Sequence, residues 1–364
     1  MTSLYVHVPF CPTICPYCAF HAVRRTPGAV EAYLERLAAE ARALRPRLEP
    51  LETLYYGGGT PSYLREAELE RLLNLGLVLA EGAEVTLEAN PGTLNRKRLR
   101  LLKALGVNRL SIGVQSFQDP VLRTLGRAHR AKGAFQAVEE ALAAGFRVSV
   151  DLILGLPGQD VEKDLKTAAS LGVGHVSAYT LIPEPGTPLA ARVREDPDRE
   201  AEAFTAARAI LGAAGFYRYE VANFARPGEE ARHNQVYWRM GFWAALGPAA
   251  ASHEPAGEPG LYAVRRTNPP LFRWLSGEAP KLEPIPPREH AKEALMMGLR
   301  TREGVDLAVL ETRTGLALRA PVLKAAAPLL EAGWLEVMGP RLAPTEAGLD
   351  RVHSLVLSLW DALS

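Results

Sequence analysis

Amphipathic helices alternate with short apolar strands through the first two thirds of the chain. In each unit apolar residues recur at helical spacing, a glycine follows, and a mostly apolar run comes next. A glycine in that place supplies the left-handed backbone that ends a helix and returns the chain to a sheet. The pattern predicts helices at 98–105, 134–144, 165–171 and 200–214, ended by Gly106, Gly145, Gly172 and Gly215, with strands at 108–115, 146–154 and 175–182 after the first three and a looser run at 217–223 after the fourth.

Three earlier apolar runs, 4–10, 53–56 and 84–89, bring the number of strand–helix units to six. Mostly continuous apolar strands separated by helices are typical of a parallel sheet that is covered by those helices. Six units are too few to close an eight-stranded barrel. The predicted fold class is therefore α/β, as an open, partial (β/α)6 barrel whose opening is filled by the chain that follows.

The pattern changes twice after the barrel units, so we predict three parts. The barrel core takes residues 1–215, and an irregular, aromatic segment that closes the barrel takes 216–284. A stretch rich in Pro and Glu at 281–288 marks the next boundary. The last part, 285–364, is predicted to be a small helical module with a β-wing at 335–342, which resembles a winged helix.

Charge and composition exclude several classes of partner. The chain has 42 Lys and Arg against 41 Asp and Glu, so no overall field favours nucleic acid or an anionic membrane. The C-terminal module carries no basic stripe, which argues against a DNA reader. No apolar run approaches the roughly 20 residues that a membrane helix needs. We expect no nucleic-acid partner.

The three cysteines of the chain lie within eight residues, as Cys11, Cys15 and Cys18, directly after the first apolar strand. Three thiolates on one short loop can hold three irons of a [4Fe-4S] cluster and leave the fourth iron without a protein ligand. Such an iron can take an external ligand. Thiols that must stay free to bind metal indicate a reducing, cytoplasmic location.

Other uses of three cysteines fit less well. A disulfide framework favours an even count in a secreted protein, and no signal peptide precedes the cysteines. A redox dithiol uses two cysteines. A structural zinc site takes four ligands, and His7 or His21 could supply the fourth. A zinc-stabilised interaction protein therefore stays open as an alternative.

Polar or glycine-rich residues stand at the end of each predicted strand. The cysteine loop, Gly57-Gly58-Gly59-Thr60, Glu88, Gln115 and Asp151 occupy five successive strand ends. Ligands of parallel α/β folds bind beyond the carboxyl ends of the strands, so these residues are expected to converge on one site. The glycines would let a ligand approach the backbone closely, or would simply form a tight turn.

These motifs together resemble the radical S-adenosylmethionine superfamily. The runs Tyr5-Val-His-Val-Pro-Phe-Cys11, Ser111-Ile-Gly-Val-Gln-Ser-Phe117 and Asp151-Leu-Ile-Leu-Gly-Leu-Pro-Gly-Gln159 are similar to the oxygen-independent coproporphyrinogen III oxidase family and its close relatives. The resemblance implies a radical-SAM barrel with Cys11, Cys15 and Cys18 as cluster ligands. It also implies contacts to S-adenosylmethionine from Tyr5, Tyr17, Ala19, Gly58, Gly59, Thr60, Glu88, Gln115, Arg127 and Asp151.

Two features separate this chain from the oxidase within that family. The oxidase has a fourth cysteine two residues after the third, where this chain has Phe20. The run His233-Asn-Gln-Val-Tyr237-Trp238 resembles the HNxxYW motif of the haem-chaperone branch, HemW. Relatives commonly have Asp at the position of Ala19 and Gly at that of Ala249.

The resemblance predicts a haem chaperone, with His233, Tyr237 and Trp238 at the haem; the alternative is radical oxidative decarboxylation of coproporphyrinogen III. From the residues alone, a core histidine among packing aromatic side chains is the favoured interpretation of His233. The expected partners are haem, a haem-acceptor protein, an electron donor if S-adenosylmethionine is cleaved, and membrane haemoproteins met at the membrane periphery.

Overall fold

The computed structural model describes residues 1–191, 193–194 and 196–360. Its strands are β1 (Ser3–Val8), β2 (Phe10–Cys11), β3 (Val23–Arg24), β4 (Leu51–Gly58), β5 (Leu79–Ala89), β6 (Arg109–Gln115), β7 (Arg147–Leu154), β8 (His175–Thr180), β9 (Tyr217–Arg218), β10 (Asn223–Ala225), β11 (Ala244–Leu246), β12 (Ala251–Pro255), β13 (Ala263–Thr267), β14 (Lys281–Ile285), β15 (Val305–Asp306), β16 (Leu335–Met338) and β17 (Arg341–Pro344).

Helices cover the outer side of the barrel strands and form most of the C-terminal part. They are α1 (Ala29–Leu44), α2 (Glu66–Leu73), α3 (Arg96–Ala104), α4 (Asp119–Thr124), α5 (Ala131–Ala143), α6 (Val161–Ser170), α7 (Pro197–Ala213), α8 (Arg232–Trp238), α9 (Leu271–Leu275), α10 (Pro287–Gly298), α11 (Leu307–Thr314), α12 (Arg319–Glu331), α13 (Glu346–Leu349) and α14 (Val352–Trp360).

The six predicted barrel strands form the centre of one nine-stranded sheet. Its order is β11-β1-β4-β5-β6-β7-β8-β10-β9, and the neighbours from β11 to β8 run parallel. The two end strands, β11 and β9, are not paired with each other in this order, so the barrel is open as predicted. The carboxyl ends of six parallel strands therefore share one edge.

Glycines end the barrel helices where the sequence predicts. Gly106, Gly145, Gly172 and Gly215 have φ of +90°, +76°, +80° and +84°. These values lie in the left-handed region, where a side chain would be strained. Each glycine therefore turns the chain sharply, and the next strand begins two to three residues later at β6, β7, β8 and β9.

The segment after the barrel units joins both ends of the sheet. β11 lies parallel to β1 at one end, and β10 and β9 pair antiparallel at the other. The predicted run 217–223 is a hairpin of short strands instead of one strand. β12, β13 and β14 form a separate antiparallel sheet. Trp274 on α9 joins the barrel core, where it packs on Tyr33.

The C-terminal part has its own apolar core. Residues of α10, α11, α12 and α14 pack together with Leu335 and Leu342, and Met240 joins them from the middle segment. The predicted wing is the hairpin β16–β17, extended by β15 into a three-stranded sheet. The limits 1–215, 216–284 and 285–364 stay a prediction, and residues 361–364 of the last part lie outside the described residues.

Among the described residues, no helix combines the length and the apolar character that crossing a membrane requires.

Candidate functional site

The cysteine loop lies at the carboxyl end of β1. Cys11 ends β2, and the loop closes with a hydrogen bond from the Cys18 amide to the Cys15 carbonyl at 3.0 Å. All three thiols are free and half-buried. Cys11 Sγ lies 3.4 Å from Thr60 Oγ1, and Arg127 Nη1 donates to Cys15 Sγ at 3.3 Å. Polar groups from the end of β4 and from the connection between α4 and α5 therefore contact the loop.

The glycine triplet allows the end of β4 to pack against β1 and the cysteine loop. The amides of Gly59 and Thr60 donate to the carbonyls of Val8 and Phe10 at 2.8 and 2.9 Å. A Cβ on Gly58, which has φ +107°, would lie 2.3 Å from Cε1 of His7. A Cβ on Gly59 would lie 2.8 Å from the Val8 carbonyl oxygen. The glycines therefore make room for protein atoms at the end of β4, and the contact of Gly58 and Gly59 with S-adenosylmethionine stays a prediction.

Side chains that point into the open barrel remain accessible although they lie on central strands. They alternate with buried residues and are half-buried themselves, namely Tyr5, Tyr55, Glu88, Ser111, Asp151, Ser177 and Tyr179. Strand side chains alternate between the two faces of a sheet, so this set marks the inner face. The inner face is therefore polar, and it begins beside the cysteine loop, which follows β1.

Two carboxylic acids of this inner face have raised pKa values. Burial raises the pKa of Glu88 to about 7. Hydrogen bonds from the Tyr55 hydroxyl at 2.8 Å and the Gly58 amide at 2.9 Å act in the opposite direction and lower this pKa. Burial also raises the pKa of Asp151 to about 6, although Ser111 Oγ donates to it at 3.2 Å. Neither acid forms a salt bridge within the part of the chain that the structure describes, and a positively charged ligand would favour their ionised forms.

Arg127 connects the cysteine loop to the inner face. Its Nη2 donates to the Gly113 carbonyl at 2.7 Å, and its Nη1 donates to the Tyr17 hydroxyl at 3.3 Å. Its Nε is buried without a partner among the described residues. Burial opposes its charge, but Tyr17 and Cys15 together raise the pKa of Arg127. The guanidinium is therefore a fixed cation with a free donor, as a carboxylate ligand requires.

Gln115 adopts a backbone conformation that few side chains tolerate. Its φ is +68°, and the pairing of β6 with β7 shifts register between Ile112 and Gln115. A non-glycine residue in the left-handed region stores strain that the surroundings must hold, and such residues cluster at functional sites. The irregularity aims the Gln115 side chain toward Tyr179, whose hydroxyl lies 3.5 Å from Oε1.

The residues present fit a [4Fe-4S] cluster with S-adenosylmethionine. The loop supplies three thiols, and each would ligate a separate iron. Glu88, Asp151 and Arg127 supply two anions and one cation toward a ligand that carries an amine, hydroxyls and a carboxylate. Burial raises the pKa of the Cys11 thiol to about 11, so binding a metal there releases a proton. No three His, Cys, Asp or Glu side chains in the described ranges converge on a single ion site.

Ala19 and Phe20 directly follow the third cysteine, and both side chains are exposed. Ala19 is exposed at the start of the chain segment that leaves the loop. Phe20 is 75% exposed, so the position of the oxidase's fourth cysteine carries an unburied aromatic ring. The contact of Ala19 with S-adenosylmethionine stays a prediction.

The HNxxYW segment forms α8, and its histidine is enclosed. His233 is 1% exposed, its Nδ1 hydrogen-bonds with Thr53 Oγ1 at 2.8 Å, and its Nε2 hydrogen-bonds with the Tyr237 hydroxyl at 2.7 Å. Burial lowers the pKa of His233 to about 3. Neither ring nitrogen is available to a haem iron in this conformation. The core interpretation of His233 matches this packing.

The other residues predicted to bind haem do not gather around an open slot. Tyr237 packs edge-on against Trp243 with ring centroids 4.7 Å apart. Trp238 lines a separate cleft of about 310 Å³, together with Tyr217, Tyr219 and Arg302. The assignment of His233, Tyr237 and Trp238 to haem stays a prediction that this conformation does not favour.

Sequence reasoning missed four residues of the inner face: Tyr55, Ser111, Ser177 and Tyr179. Tyr55 lies two positions before Gly57, and Ser111 lies four positions before Gln115 on the same strand. Ser177 is in register with Asp151, and Tyr179 lies two positions after Ser177. The period of two along a strand, applied to polar residues, would have found them.

Comparison with known proteins shows which families this chain resembles. The family model of the radical SAM superfamily matches residues 5–171, and the family model of the HemN C-terminal domain matches residues 285–351. The protein named heme chaperone HemW of Synechocystis is 34% identical over 97% of this chain and 91% of its own length. HemW of Mycobacterium tuberculosis is 37% identical over 98% and 94%. HemW of Escherichia coli is 39% identical over 68% and 69%.

A solved structure shares the fold along the whole chain. Coproporphyrinogen III oxidase of Escherichia coli, described as a radical SAM enzyme, superposes with a TM-score of 0.81 over 99% of this chain and 89% of its own, at 24% identity. That degree of identity shows the fold alone. The family follows from the relatives that match over nearly their full length: the chain belongs to the HemW family of the radical SAM superfamily.

Proposed function

We propose that this protein is a haem chaperone: it carries a [4Fe-4S] cluster and S-adenosylmethionine, binds haem, and transfers haem to an acceptor protein. One observation carries the proposal. Relatives named heme chaperone HemW match the chain at 34% and 37% identity over at least 91% of their own length. Their similarity therefore includes the cysteine loop, the inner face of the barrel and the C-terminal part.

The residues of the site have distinct roles in this proposal. Cys11, Cys15 and Cys18 hold the cluster, which supplies one iron that is free to take a ligand. Arg127 orients a ligand carboxylate from its fixed position beside Cys15. Glu88 and Asp151 accept hydrogen bonds from an amine or from ribose hydroxyls on the inner face of the barrel.

A transfer assay tests the proposal. Protein reconstituted with iron and sulfide under anoxia is loaded with ferric protoporphyrin IX, purified, and mixed with the haem-free form of a b-type haemoprotein. We expect a Soret band in the loaded protein and its replacement by the spectrum of the acceptor. Loading without a Soret band, or no transfer within the lifetime of the complex, contradicts the proposal.

The oxidase alternative predicts a different product. Anaerobic incubation with S-adenosylmethionine, a reductant and coproporphyrinogen III would then yield protoporphyrinogen IX. We expect no product, because Phe20 replaces the fourth cysteine of the oxidase and lies 75% exposed. Introducing that cysteine as Phe20→Cys tests whether this single position is what separates the two activities.

Location and further partners extend the proposal. The reduced thiols of the cluster loop support a cytoplasmic location. An electron donor is needed only if S-adenosylmethionine is cleaved, and 5′-deoxyadenosine in the reaction mixture would reveal that cleavage. Membrane haemoproteins are proposed as acceptors that are met at the membrane periphery, and haem-free membranes of a haem-deficient strain would serve as the acceptor in the transfer assay.

A further inference from the structure

The histidine of the HNxxYW segment is joined to the inner face of the barrel through one side chain. The ring of His233 stacks on the ring of Tyr55, with centroids 5.2 Å apart and an interplanar angle of 26°. The Tyr55 hydroxyl in turn donates to Glu88 Oε1 at 2.8 Å. Glu88 is one of the two acids that face the expected S-adenosylmethionine ligand. Two contacts therefore lead from the segment to a group of the ligand site.

Three hydrogen bonds hold His233 where it meets Tyr55. Its Nδ1 pairs with the Thr53 hydroxyl at 2.8 Å, and its Nε2 pairs with the Tyr237 hydroxyl at 2.7 Å. Its backbone amide donates to Glu84 Oε1 at 3.0 Å. These partners belong to β4, α8 and β5, so the ring cannot turn without breaking a hydrogen bond. His233 therefore gives Tyr55 a fixed surface on which to stack.

Glu88 is held by both of its carboxyl oxygens. Oε1 accepts from Tyr55, and Oε2 accepts from the Gly58 amide at 2.9 Å. A carboxylate oxygen has two lone pairs, so each oxygen keeps one for a ligand. The terminal torsion of a glutamate side chain is broad, and the Gly58 amide by itself would leave the carboxylate free to turn. Tyr55 therefore fixes the plane in which Glu88 presents its remaining lone pairs.

The first glycine of the triplet makes room for this pair of side chains. A Cβ on Gly57 would lie 2.7 Å from Cε1 of Tyr55 and 2.9 Å from Glu88 Oε1. Unlike Gly58, Gly57 does not lie in the left-handed region of the backbone, so its conformation does not call for glycine. The close approach of Tyr55 to Glu88 does call for it.

Tyr55 differs from its neighbour Tyr56, although both are tyrosines of β4. Tyr56 is 0% exposed, belongs to the barrel core, and has a hydroxyl with no partner among the described residues. Tyr55 is half-buried on the inner face, and its hydroxyl is used. Successive strand side chains point to opposite faces of a sheet. Apolar packing therefore accounts for Tyr56, whereas Tyr55 makes a polar contact on the side that faces the ligand.

We propose that Tyr55 is a positioning residue of the S-adenosylmethionine site: it orients Glu88 toward the ligand, and His233 with Tyr237 holds it in place. This inference rests on the binding of S-adenosylmethionine in the proposed function. It assigns the histidine of the HNxxYW segment to the support of that ligand site and not to the haem iron.

Anaerobic equilibrium dialysis of the full, reconstituted chain against S-adenosylmethionine tests the assignment, and iron content shows whether each variant holds its cluster. Tyr55→Phe keeps the ring that stacks on His233 and removes only the hydroxyl. We expect its dissociation constant for S-adenosylmethionine to rise about tenfold, because a hydrogen bond that orients a charged group is lost. Tyr56→Phe is the matched control and should bind as the wild type does, because its hydroxyl has no partner among the described residues.

Repeating Tyr55→Phe in the Glu88→Ala background separates positioning from packing. A residue that acts through Glu88 has nothing left to orient there, so we expect no further loss of affinity in the double variant. The same fold loss in both backgrounds would show that Tyr55 acts independently of Glu88, and it overturns the assignment. Gly57→Ala should weaken binding in the same way as Tyr55→Phe, because the new Cβ separates the same two groups.

Two variants of His233 test the support beneath Tyr55. His233→Ala removes the surface on which Tyr55 stacks and should weaken the binding of S-adenosylmethionine. His233→Gln keeps a planar group that can hydrogen-bond with Thr53 and Tyr237, so it should recover part of the loss. Haem titrated without S-adenosylmethionine should give the wild-type Soret position in both variants. A changed Soret position in His233→Ala, together with wild-type affinity for S-adenosylmethionine, overturns the assignment.

The remaining outcomes separate this inference from the proposed function. Wild-type affinity in Tyr55→Phe overturns the inference and leaves the proposed function intact. If Tyr55→Phe does not hold the cluster, the two variants of His233 decide by the same dialysis, and wild-type affinity in both overturns the inference. A wild type that holds its cluster and does not bind S-adenosylmethionine would instead overturn that part of the proposed function.

Discussion

Gly58→Ala should damage the cluster site through packing, and the size of the effect follows from the contacts. The new Cβ would lie 2.3 Å from Cε1 and 2.5 Å from Nδ1 of His7. The His7 ring has little freedom to move, because Tyr5 and the His21 carbonyl hold its two nitrogens at 3.0 and 2.9 Å. The end of β4 must therefore shift away from β1.

Two costs add at this position. An alanine at a positive φ costs about 1–3 kcal/mol, and overpacking a filled site costs about 1–3 kcal/mol more. Gly106→Ala is the matched control, since Gly106 has φ +90° with no atom within 4 Å of a built Cβ. Gly106→Ala should lower the free energy of unfolding only by the cost of the positive φ. We therefore expect Gly58→Ala to unfold more easily than Gly106→Ala by about 1–3 kcal/mol.

Urea unfolding of the metal-free protein measures the difference in the free energy of unfolding between the two variants. Iron content after reconstitution measures how well each variant still binds the cluster. A shift of β4 moves Thr60 away from Cys11 and Gly58 N away from Glu88. We expect Gly58→Ala to retain less than the wild-type iron and Gly106→Ala to retain all of it. Equal stability and equal iron in the two variants would refute the steric argument.

Three further perturbations test other parts of the structure. Cys15→Ser should abolish the cluster, because two thiolates cannot hold three irons, and normal iron content after anaerobic reconstitution would contradict this. Ala249→Gly should stabilise the protein by about 1 kcal/mol in urea unfolding, because Ala249 has φ +57° and a Cβ is strained in that region; no gain would show that the strain is absent. The pKa of Glu88 is raised to about 7 in the folded protein. As pH rises, this carboxyl group therefore loses its proton in the unfolded state first, and the free energy of unfolding falls between about pH 4.5 and pH 7. Glu88→Gln should therefore gain stability relative to the wild type over that range, unlike the exposed Glu52→Gln, and a pH-independent difference would count against the burial of Glu88.

The barrel could be predicted because its determinants are local. Helical spacing, a glycine after each helix and an apolar strand run recur in the chain, and each acts within a few residues. The glycines at 106, 145, 172 and 215 have the predicted left-handed backbone. The cluster loop was predictable for the same reason, because its three thiols lie within eight residues.

The inner face of the barrel was only half predictable. Glu88 and Asp151 stand at strand ends, where the general rule for parallel sheets places ligands. Tyr55 and Tyr179 were missed because they lie within apolar strands, and their partners come from other strands. The sequence leaves open whether the glycine triplet serves a ligand or a tight turn, and only the structure shows that His7 and the Val8 carbonyl approach it closely.

The sequence by itself determined the alternation of strands and helices in the barrel, the cysteine loop, and the family to which both belong. Only the tertiary structure decided which buried histidines have hydrogen-bond partners for their ring nitrogens among the described residues. His233 lies in a recognisable motif, but Thr53, 180 residues away, occupies one of its nitrogens. His253 and His290 carry no motif, and they meet because β12 packs against α10. Hydrogen-bond partners are set by contacts between distant segments, and those contacts form only when apolar faces are buried together.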